Sequence, residues 1–287
     1  MHYFSVDGRE FYRRGRLVRV CGLAAAWYEP IENPEALIAS LKQHKPKQHI
    51  FTFFQRVPHT IPRYNYYKES YPVSVITLKN YEDWWENSIK KYTRQAVKMS
   101  QKKGIIVKVS DFNDEFMEGI TSIHNETPIR SGKKYPHYNV STNSVKKREG
   151  TFIDRSIFLG AYYEKQIVGY AKLIFEEEFV DVAQLLSKMN HRDKCVTNAL
   201  VAKIVEICSQ REVRHIVYGD FNSTSLGDFK RHNGFLRMDL PRYFIPLNNI
   251  GAVALKLKLH HRPSEWIPDK TRPFLFYLRK RWLETFS

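Results

Sequence analysis

Cysteine is scarce in this sequence: Cys21, Cys195 and Cys208 are scattered through 287 residues. An odd, sparse and unspaced set excludes a disulfide framework and fits a reducing compartment. Long apolar runs are missing, and no stretch approaches the ~20 residues a membrane-spanning helix needs. The opening MHYFSVDGREFYRRGR has no apolar signal core, so the expected location is cytoplasmic, at most peripheral at the inner face of a membrane. Internal repeats and low-complexity segments are absent. There is no Gly-x-Ser-x-Gly elbow, no Walker loop and no zinc spacing, so no metal is expected. Acidic residues are few: 30 Asp and Glu face 46 Lys and Arg, a formal net charge of +16.

Against these absences, hydrophobic residues make up 43% of the chain and aromatics 14%, ample for a packed core and too much for general disorder. The length suits one large or two small domains. The positive charge is clustered: Lys90–Lys103 and Lys133–Arg148 are basic runs, and a third lies in the C-terminal tail. Such a field draws polyanions, namely nucleotide cofactors, RNA, nucleotide-linked glycans or anionic lipid. Basic faces that only aid solubility are the plainer alternative.

Arg16–Leu23 alternates as a strand. Asn33 followed by Pro34 predicts a capped helix over Pro34–Gln43. Ile50–Phe54 reads as an apolar strand, His59–Pro72 as an irregular connection and Val73–Leu78 as a strand. Asn80 starts a long helix to about Lys103, ended by Gly104. A strand over Ile105–Val109 and a helix near Asp114–Asn125 precede a long polar stretch, Glu126–Gly150. Ile157–Tyr163 and Gln166–Phe175 form a hairpin through Glu164–Lys165, with a third strand at Phe179–Ser187. A helix over Val196–Gln210, a strand from His215, a helix over Leu226–Asn233 and more strand complete the order. It fits an α+β layer in which helices cover a mixed, mostly antiparallel sheet.

Three places carry chemistry. Met189–Thr197 feeds the N-terminus of the helix from Val196, where backbone N–H groups and the dipole favour anions. Arg192 and Lys194 add charge there, and Thr197 and Asn198 suit a cap or a ligand hydrogen bond; a capped helix with two exposed cations is the alternative. Thr127–Tyr138 gathers Arg130, Lys133, Lys134, His137 and Tyr138. Arg forks suit carboxylate or phosphate and His shuttles protons, so the loop is expected to clamp an acidic acceptor unless it is merely a flexible basic loop. The phrase LGDFKRHNGF puts Lys230 and Arg231 on a helix just after a strand's carboxyl end, where open α/β sheets form ligand crevices. A solvated Lys230 is the common case against which that is weighed.

The sequence YGDF, a polar turn and FKRHNGF resembles the closing motif of Fem-type transferases and related GNAT-fold acyltransferases. Upstream, in order, stand FTFFQR (Phe51–Arg56), TRQAVKMSQKKG (Thr93–Gly104), NETPIRSGKKYPHY (Asn125–Tyr138) and HRDKCVTNAL (His191–Leu200). Together they resemble bacterial Fem-like proteins with GNAT-type domains, over about residues 15–247. The resemblance implies a GNAT-like fold with an abbreviated N-terminal α/β unit over 1–78, an acyltransferase domain over 79–247 and a basic amphipathic helical tail over 248–287. N-acyl transfer needs a base for the acceptor amine and donors for the oxyanion. His191 and Asp193 are the expected base or base-orienter, with Asp220 a second carboxylate at a strand end. Lys230 resembles the Fem-type lysine whose proposed role is to stabilise the oxyanion. GNAT enzymes grip coenzyme A pyrophosphate at the turn matching Met189–Thr197, which implies an acyl-CoA donor held by Arg192, Lys194, Thr197 and Asn198. This turn lacks the usual glycines, and Fem-type enzymes, which also lack the standard turn, use aminoacyl-tRNA, the alternative donor. Arg130, His137, Tyr138 and Asp220 are expected to hold the acceptor.

Three functions stay open at this stage. One is an amide-forming transferase acting on an amine of a nucleotide- or lipid-linked sugar or peptide in cell-envelope or polysaccharide synthesis. Another is an aminoacyl-tRNA-dependent peptidyltransferase, and the third a non-catalytic GNAT-like module binding an anionic glycan or RNA. The tail alternates Leu255, Leu257 and Leu259 with Lys256 and Lys258, then interleaves Trp266, Phe274, Phe276, Tyr277 and Trp282 with Arg279, Lys280 and Arg281. That pattern suits lipid headgroups or RNA, or an arm packed on the domain. Pro263, Pro268 and Pro273 divide it into short helices.

Overall fold

Asn33 Oδ1 accepts the Ala36 N–H at 3.2 Å and Pro34 takes the first helical position, so the first helix runs Pro34–Gln43 as its punctuation predicts. The structure, a computed structural model, describes residues 2–130 and 133–261. In chain order its elements are β1 (His2–Val6), β2 (Arg9–Arg14), β3 (Val20–Leu23), α1 (Pro34–Gln43), β4 (Ile50–Phe54), β5 (Tyr67–Thr77), α2 (Tyr81–Asp83), α3 (Lys91–Lys102), β6 (Ile106–Ser110) and α4 (Asp114–His124). Then come β7 (Ile129–Arg130), β8 (Lys133–Lys134), α5 (Thr142–Glu149), β9 (Ser156–Tyr163), β10 (Gln166–Phe175), β11 (Val180–Ser187), α6 (Val196–Gln210), β12 (His215–Asp220), α7 (Ser225–His232), β13 (Leu236–Pro246) and α8 (Asn249–Lys256). No helix among the described residues is long and apolar enough to cross a membrane.

The chain divides into two units, and neither is one continuous segment. The first comprises Met1–Phe54, Pro62–Glu69 and the segment from Pro241; the second comprises Gln55–Ile61 and Ser70–Leu240. β5 and β13 each begin in one unit and end in the other. Of the tail, α8 and the turn after it are seen; Trp266 and the aromatic-basic run Phe274–Trp282 lie outside the described residues.

In the first unit β1 pairs β2, β2 pairs β3 and β4 pairs β13, all antiparallel, while β3 runs parallel to β4. The hairpin β1–β2 turns at Asp7–Gly8, both left-handed (φ 50° and 75°), which is the Asp-Gly signal for a two-residue turn. The strand expected over Arg16–Leu23 begins only at Val20, because Gly15 turns tightly: a Cβ there would lie 2.0 Å from Val18 O. Phe11, Phe51, Phe53 and Tyr243 form the core with Leu37, Ile38 and Leu41 of α1.

The second unit holds strands in the order β5–β12–β11–β10–β9–β6. Its pairs are antiparallel except β11 with β12, which is parallel. Alternation along the strands sends Leu159, Ala161, Ala171, Leu173, Val180 and Val182 to the face covered by α6. Phe158 and Tyr170 go to the opposite face, covered by α4 and α5. One expectation is corrected here. The helix expected from Asn80 to Lys103 is broken: α2 passes into a π-helical turn over Trp84–Ser88 and α3 starts afresh at Lys91. Arg94 Nη1 satisfies the exposed carbonyls of the break, bonding Trp85 O and Ile89 O at 2.7 Å each and Glu86 O at 3.1 Å. The long polar stretch Glu126–Gly150 carries β7, β8 and α5 among its described residues.

Candidate functional site

β11 and β12 pair only at Val180 with Ile216 and Asp181 with Val217. Beyond those residues no ladder pairing joins Ala183–Ser187 of β11 to Tyr218–Asp220 of β12. β12 shifts register against β5 between Val217 and Asp220, with Gly219 left-handed at φ 54°. This bulge turns two carbonyls toward α7. Lys230 is buried, 3% exposed, and donates to Tyr218 O and, at 2.8 Å, to Asp220 O. Its ammonium lies 4.6 Å from the Tyr218 ring centre. Burial pushes its pKa down, and Asp220 and Asp181 oppose that. An ammonium has three N–H donors, and two are engaged. Asp220 itself is exposed and accepts from Tyr71 OH at 2.6 Å.

The expected donor turn is a 3-10 helix over Met189–Lys194 followed by Cys195, left-handed at φ 52°. A residue with a Cβ thus takes a conformation that glycine adopts at least cost. No side chain caps α6; Asn198 instead bonds Asn233 Oδ1 at 3.2 Å, joining α6 to the end of α7, and Thr197 is half-buried. The start of the turn already holds an anion: Glu126 accepts the N–H of Met189 at 2.6 Å and of Asn190 at 3.0 Å. Arg192 is exposed. Asp193 is gripped by Lys103 (3.1 Å) and Lys194 (3.3 Å), and those hydrogen bonds, led by Lys103, hold its carboxyl below the usual range. It makes no hydrogen bond to His191, so the expected base-and-orienter pair is not joined. His191 sits beside Tyr163, ring centres 5.6 Å apart; burial, then Lys194 and Lys188, lower its pKa and keep the imidazole neutral.

The loop after α4 serves this turn rather than solvent. Arg130, expected to clamp an acceptor, donates to Ser187 O at 2.9 Å and Ile123 O at 2.6 Å and pairs with Glu126. Its guanidinium, 11% exposed, therefore fastens the end of β11 to α4. His137 is exposed, with its ring edge-on to His124 and Tyr135, and Tyr138 is 41% exposed.

Sequence reasoning missed the polar cluster beneath that loop. His124 is 1% exposed; Nδ1 meets Tyr135 OH at 2.6 Å and Nε2 meets Tyr170 OH at 3.0 Å and Arg148 Nη2 at 2.7 Å. A guanidinium only donates, so Nε2 accepts and Nδ1 carries the proton toward Tyr135. Burial first, then Arg148, His137 and Arg130, push this histidine down to about 3. Buried Glu149 takes Arg148 Nε at 2.9 Å and Tyr170 OH at 3.3 Å. Lys172, 2% exposed, donates to Glu149 O (2.7 Å), Thr151 O (2.6 Å) and Thr151 Oγ1 (3.3 Å). A lysine inside the apolar strand QIVGYAKLIF was the available signal. A concavity of about 700 Å³ lies elsewhere, lined by Lys108, Ser110, Tyr162 and Lys188, and contains none of the expected site residues.

The arrangement therefore offers a parallel strand pair whose ladder stops after two register positions. A helix N-terminus follows one strand and a buried ammonium braces the end of the other. Three comparisons bear on it. No family model matches the chain, and no curated protein matches it in sequence. Among solved structures, it matches the C-terminal domain of a putative lysylphosphatidylglycerol synthetase from Agrobacterium fabrum over 90% of this chain and 86% of that one, with TM-score 0.59 and 12% identity. It matches L-PGS from Bacillus licheniformis over 89% and 86%, with TM-score 0.55 and 12% identity. It matches FemX over 81% and 83%, with TM-score 0.56 and 11% identity. At these identities the likeness is one of architecture, and it bears out the resemblance at that level: the chain shares its fold with these proteins, FemX among them.

Proposed function

We propose that this chain is an amide-forming N-acyltransferase. Its substrate would be an amine of a nucleotide- or lipid-linked sugar or peptide of the cell envelope. The observation that carries the reading is the parallel pair β11–β12, whose ladder stops after two register positions, with Lys230 bonding the end of β12. The acceptor nitrogen attacks the donor carbonyl, a C–O or C–S bond breaks, and the amine's proton leaves through a base. Neutral His191 suits that base by its lowered pKa, and the third N–H of Lys230 suits the oxyanion.

Of the two donors, aminoacyl-tRNA is favoured over acyl-CoA. Glu126 occupies backbone N–H groups that a pyrophosphate would use, and Cys195 stands where the chain would need close approach. A net charge of +16 suits a tRNA partner. Two of the matching structures are named for lysylphosphatidylglycerol synthesis or its abbreviation, which supports a lipid-linked acceptor. Exposed Ile250, Val253 and Leu257 beside Lys256 and Lys258 support peripheral contact with anionic membrane.

The test supplies the purified full chain with radiolabelled aminoacyl-tRNAs or acyl-CoAs, together with lipid and nucleotide-sugar acceptors. Label transferred from charged tRNA is expected, and it should disappear with Lys230→Met. Tight binding of RNA or anionic glycan with no transfer from either donor would replace this reading with that of a non-catalytic binding module.

A further inference from the structure

The first unit holds a cluster of metal-ligating atoms that the transferase reading does not use. α8 ends in a Schellman turn: Lys258 is left-handed (φ 55°), its N–H bonds Leu255 O at 3.0 Å, and Leu259 N–H bonds Ala254 O at 2.8 Å. That turn aims His260 and His261 at Glu69, near the start of β5. His260 Nε2 lies 3.0 Å and His261 Nε2 3.2 Å from the same Glu69 oxygen, and the three ligand atoms all fall within 4.8 Å of one another. Donors at 2.0–2.1 Å from one ion stand about 2.9 Å apart at octahedral angles and about 3.3 Å apart at tetrahedral ones. The two spacings to Glu69 match adjacent ligands on a single cation, and the histidine nitrogens lie within 4.8 Å of each other, so a small ring movement completes the set.

We propose that Glu69, His260 and His261 bind one divalent first-row transition-metal ion, of which zinc is the probe. Two imidazoles and one carboxylate are the donor set such ions take with positions left for water. The groups are prepared for it. His260 is wholly buried against Phe244, ring centres 4.5 Å apart, and burial lowers its pKa, so at neutral pH it presents a lone pair rather than a charge. Burial would raise the Glu69 carboxyl, but the Tyr67 hydroxyl at 2.8 Å, with both histidines, brings it below its ordinary value. Tyr67 thereby acts as an outer-sphere partner that orients the carboxylate. His260 Nδ1 is buried with no acceptor among the described residues, so the outer sphere is incomplete and affinity should be micromolar rather than tighter. Glu69 and His261 are about a quarter exposed, which leaves the remaining coordination positions to solvent. The ion would clip the turn after α8 to β5, two segments 191 residues apart in sequence.

Calorimetric titration of the chelator-treated full chain with Zn²⁺ tests this. One equivalent should bind at micromolar affinity, and saturation should raise the unfolding temperature by several degrees. Glu69→Gln and His261→Ala, at partly exposed positions, should each weaken binding by about tenfold or more and abolish the thermal shift. Absence of stoichiometric binding by the wild-type chain overturns the site, as does unchanged binding by both variants. Acyl-transfer activity does not enter either readout, so the site stands or falls apart from the transferase reading.

Discussion

Two lysines are buried in the second unit by the same device, and they differ by one hydrogen bond. Lys172 gives its three N–H donors to three acceptors at the end of α5, Glu149 O, Thr151 O and Thr151 Oγ1. Lys230 gives two, to Tyr218 O and Asp220 O, and rests the ammonium on the Tyr218 ring. Both are desolvated and both have lowered pKa values. A fully satisfied buried ammonium is a brace, whereas one with a donor in reserve is, on the transferase reading proposed above, the group that meets the oxyanion.

Replacing each by Met gives the largest contrast. Lys230→Met should lower turnover per folded molecule by about 10²–10³-fold, the cost of one oxyanion donor. Lys172→Met should leave turnover within about threefold yet lower unfolding free energy by about 2–3 kcal/mol, because buried carbonyls are stranded. Transfer assays normalised to folded protein, beside urea unfolding, measure both. Equal loss of activity in the two variants would erase the distinction.

A second contrast concerns pH. The Lys172 side includes His124, held neutral by burial, Arg148, His137 and Arg130, with its pKa pushed down to about 3. The unfolded chain binds that proton near pH 6.5, so the stabilisation is complete above that value and is lost as pH falls toward 3. Between pH 7 and pH 5 the loss should be about 2 kcal/mol. Urea midpoints of wild type against His124→Gln isolate it from His137, His191 and His260, which shift in the same direction. Hydrogen exchange at pH 5 should rise in α5 before α7; the reverse order would mean that the network does not brace the Lys172 side.

Much of the second unit was legible in the sequence. Gln166–Phe175 and Val196–Gln210 fall where periodicity put them, because each is bounded by turn residues and buries a regular face. The break at Trp84–Ser88 was not legible. It rests on Trp84 Nε1 bonding Asn233 O at 3.0 Å, 149 residues away, and on Arg94 collecting the carbonyls of the break from the next helix. The site divides in the same way. Lys230 stands out in the sequence because it follows a strand, a turn and a helix start in the local chain, and the structure shows it buried. Arg130 was read as a ligand-binding residue because sequence reports charge and not what satisfies it; Glu126, Ile123 O and Ser187 O do so here. His124 and Glu149 were passed over because their partners come from other elements, at Tyr135, Arg148 and Tyr170.

The smallest expected effect separates the turn Met189–Lys194 from both lysines. An exposed anion of the chain's own sits there: Lys103, just after α3, and half-buried Lys194 both bond Asp193, close to the α6 N-terminus. Exposed ion pairs of this kind contribute little to stability, so Asp193→Asn should leave the unfolding midpoint unchanged. It should instead release two ammonium groups beside a helix terminus that favours negative charge. Binding of charged tRNA, followed by fluorescence anisotropy, should tighten by about two- to fivefold at low salt, and the gain should fade as salt screens it. An acceptor amine that used Asp193 as its base would respond in the opposite sense, with turnover collapsing while tRNA affinity held. Weaker tRNA binding by Asp193→Asn would show that the carboxylate positions Lys103 and Lys194 for the donor rather than competing with it.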